Sequence, residues 1–385
     1  MSNRTNSSLS GLMPIESLVP LLIAYVLTTT LAVFGNSLVI VVFSCGRRSR
    51  SDLRGFLINL AVADLVMAIF CTPFTFTHTI MNHWPFSNAL CPLVLYMQLV
   101  SVTASVCTNT ALGFDRFWIV AFPLKSRLTK SRVKVVILMI WLIALSASSV
   151  QLFIGRAVTN GTNTKPICRE DWEDEKSRQI YTFFVLLTTY VVPLTILTAT
   201  YGMVGVKLWQ RTTPGNADQA RDMQQLRSKR KVIKMLVVIV ALFAICWLPL
   251  HLFMIVLDSV PSWTKKTELQ PILNGIYYTV HWLAMSNSCV NPIVYSFLND
   301  SFRADLKRLV RNWCNCFKGR RDGEYARTLV RDYSRSDRAS LKGCDTNRRL
   351  LSSRNQHEDG GELGQVVIAL RNVGERQRDS DLNRL

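Results

Sequence analysis

The sequence predicts an all-α protein: a seven-transmembrane helix bundle, a short amphipathic eighth helix and a disordered cytoplasmic tail. Three observations carry this. The chain has 385 residues and is 49% hydrophobic. Its apolar residues fall into seven blocks: roughly Leu18–Cys45, Leu53–Met81, Pro92–Val120, Val133–Gly155, Ile180–Trp209, Val232–Leu257 and Gln270–Leu298. Each is long enough to cross a bilayer with some tilt. An isolated strand cannot satisfy its backbone in lipid, so the blocks are read as helices. Second, basic residues gather in alternate short loops: Arg47, Arg48 and Arg50, then Lys125, Arg127, Lys130 and Arg132, then Gln210–Lys231. Such loops mark the cytoplasmic side. Third, an odd number of spans with those loops inside puts Met1 outside and Leu385 inside, as in a multi-pass plasma-membrane protein. The net charge of +19 is thereby assigned to topology, and no nucleic-acid partner is expected.

Four parts follow: an extracellular tail (1–17), the spanning domain (18–298), a membrane-surface helix (299–316) and a cytoplasmic tail (317–385). The start, MSNRTNSSLSGLMP, has no charged-then-apolar leader, so the first span is expected to serve as an uncleaved targeting segment. Glycosylation sequons begin at Asn3, Asn6 and Asn160 on the outer side; a fourth, at Asn299, falls inside and is expected to stay bare.

The first span carries Gly35-Asn36 at mid-depth, and the second carries Asp64, the only ionisable group deep in any span. A charge there costs at least ~2.5 kcal/mol unless it faces a polar interior. Its candidate partners are Asn36, Ser105, Asn287, Ser288 and Asn291. They form either a satisfied structural network or a pocket for waters or a small cation; a sodium ion at Asp64 is the one cofactor considered. His78, His83 and His251 lack metal-ligand spacing, so no metal site is expected.

The third span organises the chain. It is uncharged from Pro92 to Phe114 and then stops on Asp115-Arg116. Gln98 and Arg116 are eighteen residues apart, about five turns, so they share a face about 27 Å apart. The fourth span has Trp141 at its middle and Gln151 near its outer end. Beyond it, Glu170, Asp171, Glu173, Asp174 and Glu175 surround Trp172 as an acidic outer rim, which is either merely solvated or suited to a cationic ligand. Of the ten cysteines, only Cys91 and Cys168 fall in oxidising surroundings. A disulfide between them is expected, the alternative being two free thiols.

Pro193, Pro249 and Pro292 lie inside the fifth, sixth and seventh spans, where each removes a backbone bond and favours a kink. After Leu298, apolar and basic residues alternate at helical spacing, as in a helix lying on the inner leaflet. Cys314 and Cys316 follow, where palmitoylation is expected. The remaining tail, poor in aromatics, reads as disordered, with Ser334, Ser336, Ser340, Ser352 and Ser353 set among arginines.

Taken together, these residues resemble the rhodopsin-like family of G-protein-coupled receptors, from about Leu18 to Cys316. The carriers are Gly35-Asn36, LAVAD ending at Asp64, Cys91, Asp115-Arg116-Phe117, Trp141, Cys168, Pro193 with Tyr201, Phe243 with Cys246-Trp247-Leu248-Pro249, and Asn291-Pro292-Ile293-Val294-Tyr295. Within the family the chain is similar to peptide receptors of the neuropeptide Y, RFamide and tachykinin neighbourhood, through Trp84-Pro85-Phe86, His281-Trp282-Leu283-Ala284-Met285-Ser286 and Leu298-Asn299-Asp300-Ser301-Phe302-Arg303.

The resemblance implies a peptide ligand, a heterotrimeric G protein, arrestin and receptor kinases on the tail, and membrane lipid as partners. It assigns Gln98, Gln151, Asp258, His281 and Thr75 to the ligand pocket, with Asp258 meeting an arginine of an amidated peptide. Gln98 stands where amine receptors carry an acid, and Met285 where opsins carry a lysine. The resemblance implies that α-helix six pivots at Trp247–Pro249 under Phe243. Arg116 then leaves Asp115, and Tyr201 and Tyr295 close around it. Two departures stand out: Phe117 replaces the usual tyrosine, and Lys229 replaces an acid at the base of the sixth helix, so no ionic lock is expected there. A lipid ligand is the alternative within the fold. A transporter is the alternative class, although no internal repeat is visible. No H-E-x-x-H, G-x-S-x-G or Walker loop is present, so no enzyme is expected.

Overall fold

The computed structural model describes residues 15–49, 53–122, 130–159, 165–210, 219–260, 262–263 and 266–313. Asn3, Asn6, Asn160, Cys314, Cys316 and the tail from 317 lie outside them, as does the side chain of Lys229. Seven long helices follow one another. They are α1 (Ile15–Cys45), α2 (Arg54–Met81), α3 (Leu90–Ala121), α4 (Lys130–Ser148), α5 (Glu175–Leu186 and Val192–Gln210, joined by a π turn), α6 (Gln219–Ser259) and α7 (Gln270–Leu298). Residues 300–313 form a further helix, α8, whose residues up to Asn312 belong to the same compact unit as the seven.

The bundle is ordered around α3, which packs against α2, α4 and α5. Helix α1 packs on α2 and α7, and α6 packs on α5 and α7. Large apolar side chains such as Phe34, Phe153 and Phe297 point outward, while Asn36, Asn59, Asp64 and Asn109 are buried. That inversion is what a lipid-solvated helix bundle requires. Six described helices are long and apolar enough by composition to cross a membrane; α7 is not among them. Asn274, His281, Asn287 and Asn291 dilute its hydropathy, and two of these, His281 and Asn291, are buried. Its place in the bundle follows from packing rather than from composition.

Two features depart from the expectation. The fold is not purely helical: Gly155–Thr159 (β1) and Pro166–Glu170 (β2) pair antiparallel, with Ala157 opposite Cys168. A lone hairpin is marginal in water. This one is tied to α3 by a Cys91–Cys168 disulfide and to the preceding loop by a 2.7 Å bond from Trp84 N–H to the Pro166 carbonyl. The second departure is in how prolines are absorbed. Pro193 does not simply leave a carbonyl open, because the preceding turn, Leu187–Val191, widens to a π turn closed by Val192 N–H on the Leu187 carbonyl. The same device, Met67–Cys71, precedes Pro73 in α2 and is closed by Thr72 N–H on the Met67 carbonyl. A proline has no N–H to return, and a five-residue turn re-registers the ladder around it.

At the end of the bundle that carries Arg116, α8 is held by one aromatic and one carboxylate. Phe302, 1% exposed, packs against Phe43 and Tyr295 with ring centroids 5.5 and 6.1 Å apart. Asp305, also 1% exposed, accepts a 2.7 Å bond from Ser49 N–H and further bonds from the Arg47 and Arg48 backbone. A Cβ on Gly46 would collide with that carboxylate, so only glycine leaves room for it. Burial alone would raise the Asp305 carboxyl, but the N–H donors outweigh it and hold the group below the usual carboxylate range.

Asp305→Ala is expected to destabilise the detergent-solubilised protein by roughly 2–3 kcal/mol, as loss of hydrogen bonds to a charged acceptor does. Because the folded-state carboxyl titrates below its unfolded value of about 3.9, its contribution is present above that pH. It is lost as the pH falls through the folded value, so the gap between wild type and variant in thermal unfolding should close on acidification.

Candidate functional site: a cavity above a buried polar core

At the hairpin end of the bundle, α3, α5, α6 and α7, with the short helical turn Gln151–Ile154 and strand β2, enclose a cavity of about 190 Å³. Gln98, Gln151, Glu170, Tyr277 and His281 line its walls, and Trp247 lies among its lining residues. His281 is buried and fixed on both ring nitrogens. Gln98 Nε2 lies 3.2 Å from His281 Nε2, and the Tyr25 hydroxyl lies 3.0 Å from Nδ1. With the Gln98 amide donating, the ring proton sits on Nδ1 and is given to Tyr25. One imidazole thus joins α1, α3 and α7.

Gln151 is 6% exposed. Its Nε2 donates to Glu170 Oε1 at 2.7 Å and to the Tyr181 hydroxyl at 3.3 Å, whereas its Oε1 has no partner. Glu170 Oε2 accepts from the Trp172 indole at 2.9 Å. The structure therefore brings Gln98, Gln151 and His281 to one cavity. It places Asp258 and Thr75 elsewhere. Asp258 is not among the lining residues and is ion-paired at 3.0 Å with Arg178 of α5, and its backbone carbonyl accepts from Gln179. The Thr75 hydroxyl donates to the Cys71 carbonyl of its own helix.

Sequence reasoning put Glu170 on an acidic outer rim, either merely solvated or suited to a cationic ligand, and passed over Tyr277. Both carried a signal. Residues two apart on a strand share a face, so a Cys168 side chain turned to α3 turns Glu170 toward the bundle as well. Tyr277 lies four residues before His281, on the same helix face.

Beneath the cavity is an aromatic stack. Trp247 and Phe243 have centroids 6.1 Å apart, Tyr190 and Phe243 6.3 Å, and His251 and Tyr190 5.1 Å. Pro249 lies within α6 between Trp247 and His251, and Pro292 lies within α7. Lower still, Asn291 Nδ2 donates to Asp64 Oδ2 at 2.8 Å, and the Ser288 side chain bonds the same carboxylate. Asn36 Nδ2 donates to the Ser288 carbonyl at 2.8 Å, and its Oδ1 has no partner. Ser105 is buried and Asn287 half-buried. Gly35 lets α1 close on α7 at this level, since a Cβ there would meet Pro292 at 2.9 Å.

At the opposite end of α3, Arg116 Nε donates to Asp115 at 3.0 Å and the two side chains form an ion pair. Tyr201 packs in the core with Leu112 and Leu197. Tyr295 is 1% exposed and its hydroxyl has no partner. A second network crosses α2, α3 and α4: Trp141 Nε1 donates to Asn59 Oδ1 and Asn59 Nδ2 to the Thr108 hydroxyl, each at 2.8 Å. Asn59→Ala would strand the half-buried indole N–H and is expected to cost about 1–3 kcal/mol. Thermal unfolding checks this, with Asn59→Asp as the control that keeps an acceptor for Trp141.

A family model described as "7 transmembrane receptor (rhodopsin family)" matches residues 35–295. The chain is similar to the RYamide receptor of Drosophila melanogaster, 35% identical over 295 residues, which cover 74% of this chain and 62% of that protein. It is similar to the tachykinin-like peptides receptor 99D of the same organism, 31% identical over 329 residues, 82% of this chain and 62% of that one. With the human substance-P receptor it shares 32% identity over 314 residues, 81% of this chain and 75% of the other. The chain thus spans about three fifths of the length of the two fly receptors.

Proposed function

Since this chain belongs to the rhodopsin family of seven-transmembrane receptors, we propose that it is the receptor for an extracellular neuropeptide with an amidated, arginine-containing C-terminal end, and that it activates a heterotrimeric G protein. The observation that carries this is the lining of the cavity. Where an amine receptor needs an acid, Gln98 presents an amide, joined to His281. Amide and imidazole groups complement the carbonyls and N–H groups of a peptide, and the open acceptor on Gln151 calls for a donor from the ligand. The relatives' names support the same class: RYamide, tachykinin-like peptides and substance P.

In this reading the peptide end enters beside Gln98, Gln151 and His281, while Asp258, paired with Arg178, stays at the rim. A ligand shifts a pre-existing equilibrium only as far as it prefers one state. Contact with Trp247 biases α6 to pivot at Pro249 and to swing its far end outward. Arg116 then leaves Asp115, Tyr201 and Tyr295 close around it, and the cleft admits a G-protein helix. The Tyr295 hydroxyl, which has no partner, is ready for that exchange. An all-oxygen donor set at Asp64, Asn36, Ser105 and Ser288 suits a sodium ion, which would hold the unstimulated state. The amino terminus is extracellular. The chain beyond α8 is cytoplasmic, acylated at Cys314 and Cys316 and read by receptor kinases and arrestin. Family membership sets the transporter alternative aside.

Expressed in cells and read by cAMP and calcium, the receptor should answer amidated peptides ending in Arg-Tyr or Arg-Phe, with potency falling at least tenfold for their free acids. Silence to all of these together with a response to lysophospholipids would replace the peptide by a lipid. Arg116→Ala should abolish nucleotide exchange on the G protein while leaving peptide binding intact. Raising sodium should lower agonist affinity in wild type and not in Asp64→Ala.

A further inference from the structure

The geometry points to Glu170, not Asp258, as the anionic subsite that takes the guanidinium of the ligand. This rests on the peptide-receptor reading and names the group within the site that selects for arginine.

Three observations on the page converge. Among the described residues lining the cavity, Glu170 is the carboxylate and none is a lysine or arginine. Asp258 lies outside the lining set and has an arginine of its own at 3.0 Å. A ligand cation at Asp258 would share its carboxylate with Arg178, which already neutralises it through Oδ1 and leaves Oδ2 without a partner, whereas at Glu170 it meets no cation of the cavity's own lining.

The acceptors at Glu170 match a guanidinium in number and kind. Each carboxylate oxygen can accept two bonds. Oε1 holds one from Gln151 and Oε2 one from Trp172, so each keeps an open lone pair. Beside them, Gln151 Oε1 is buried and without a donor. Its orientation is fixed, because turning the amide over would set its oxygen against Glu170 Oε1. Three acceptor positions with no opposing donor call for a group that only donates and carries positive charge. A guanidinium has five N–H donors, no acceptor and a fork that spans both oxygens of a carboxylate. The surroundings agree: Trp172 and Tyr181, with centroids 5.1 Å apart, flank the site, and aromatic faces favour a planar, weakly hydrated cation.

The position is also rigid. Glu170 ends strand β2, two residues after the Cys168 that is tied to α3, and Asp171 N–H bonds the Ile154 carbonyl at 2.8 Å. A carboxylate held on both sides loses little freedom when it binds.

The test uses the full-length receptor in two arms. In the first, a cysteine placed in the cavity as Met254→Cys is reacted with aminoethyl and with neutral methyl methanethiosulfonate. The ratio of the two rates, corrected for the parent protein, reports the local negative potential without any peptide. Glu170→Gln should lower that ratio at least threefold, Glu170→Asp should preserve it, and Asp258→Asn should leave it unchanged. In the second arm, concentration–response curves compare a peptide ending in Arg-Tyr-amide with the same peptide carrying citrulline for arginine. Wild type and Asp258→Asn should prefer arginine by at least tenfold, Glu170→Gln should lose the preference, and Arg178→Gln should keep it.

Cell-surface labelling confirms that each variant is delivered. A ratio that falls with Asp258→Asn and not with Glu170→Gln overturns the assignment. So does arginine preference that survives Glu170→Gln. If no peptide activates the wild type, the peptide reading fails, and the thiol-reaction arm still decides whether Glu170 is the negative centre of the cavity.

Discussion

Lipid offers no hydrogen bonds, and the architecture follows from that. Every polar group in a spanning segment has to be satisfied inside its own helix or turned toward the other helices. The chain does both. Threonines such as Thr30, Thr77 and Thr195 return their hydroxyls to the carbonyl four residues earlier. Asn36, Asn59, Asp64 and His281 instead reach across to neighbouring helices and so set how the helices are arranged. In a bundle where apolar packing does not distinguish one helix face from lipid, these few cross-helix bonds carry much of the specificity.

They also form a continuous column. The cavity wall at His281, the aromatic stack at Trp247 and Phe243, the Asp64–Asn291 bond and the Tyr295–Phe302–Phe43 cluster succeed one another along the bundle. Helix α7 contributes to all but the aromatic stack, which explains why its composition is too polar to pass for a membrane span by itself. Its polarity is a consequence of lining the interior. Helices α6 and α7, which carry Pro249 and Pro292, lie side by side, so a change of kink in one is felt directly by the other.

The two ends of the bundle use charge in opposite ways. At the Arg116 end, three described acidic groups are engaged: Asp115 holds Arg116, Asp305 holds the loop backbone, and Asp300 pairs with Lys231 and Arg303. At the hairpin end, Asp258 is paired with Arg178 through Oδ1 only, and its Oδ2 and the Gln151 Oε1 are buried acceptors that no described residue fills. An end built to hold itself together and an end built to be completed by something else are chemically distinct, even though both are rich in ionisable residues.

Much of this was legible beforehand. Block length anticipated all seven helices, and for six of them composition alone suffices to cross a membrane, whereas α7 is held in the bundle by its packing. Sorting cysteines by compartment determined the Cys91–Cys168 pair. Residues in single-file register along one helix, such as Gln98 and Arg116, could be placed by counting turns. The hairpin, the two π turns and the partners of Asp258 and Asp305 were not legible, since they depend on which group from a distant segment arrives first. The resemblance gave Asp258 to an arginine of the ligand, and Glu170 read as one acid among five on an outer rim either solvated or suited to a cationic ligand. Only the packing of α5 against α6 gave Asp258 its arginine, and only the covalent tie of β2 to α3 carried Glu170 inside, because contacts across tens of residues are fixed by the fold and not by local sequence.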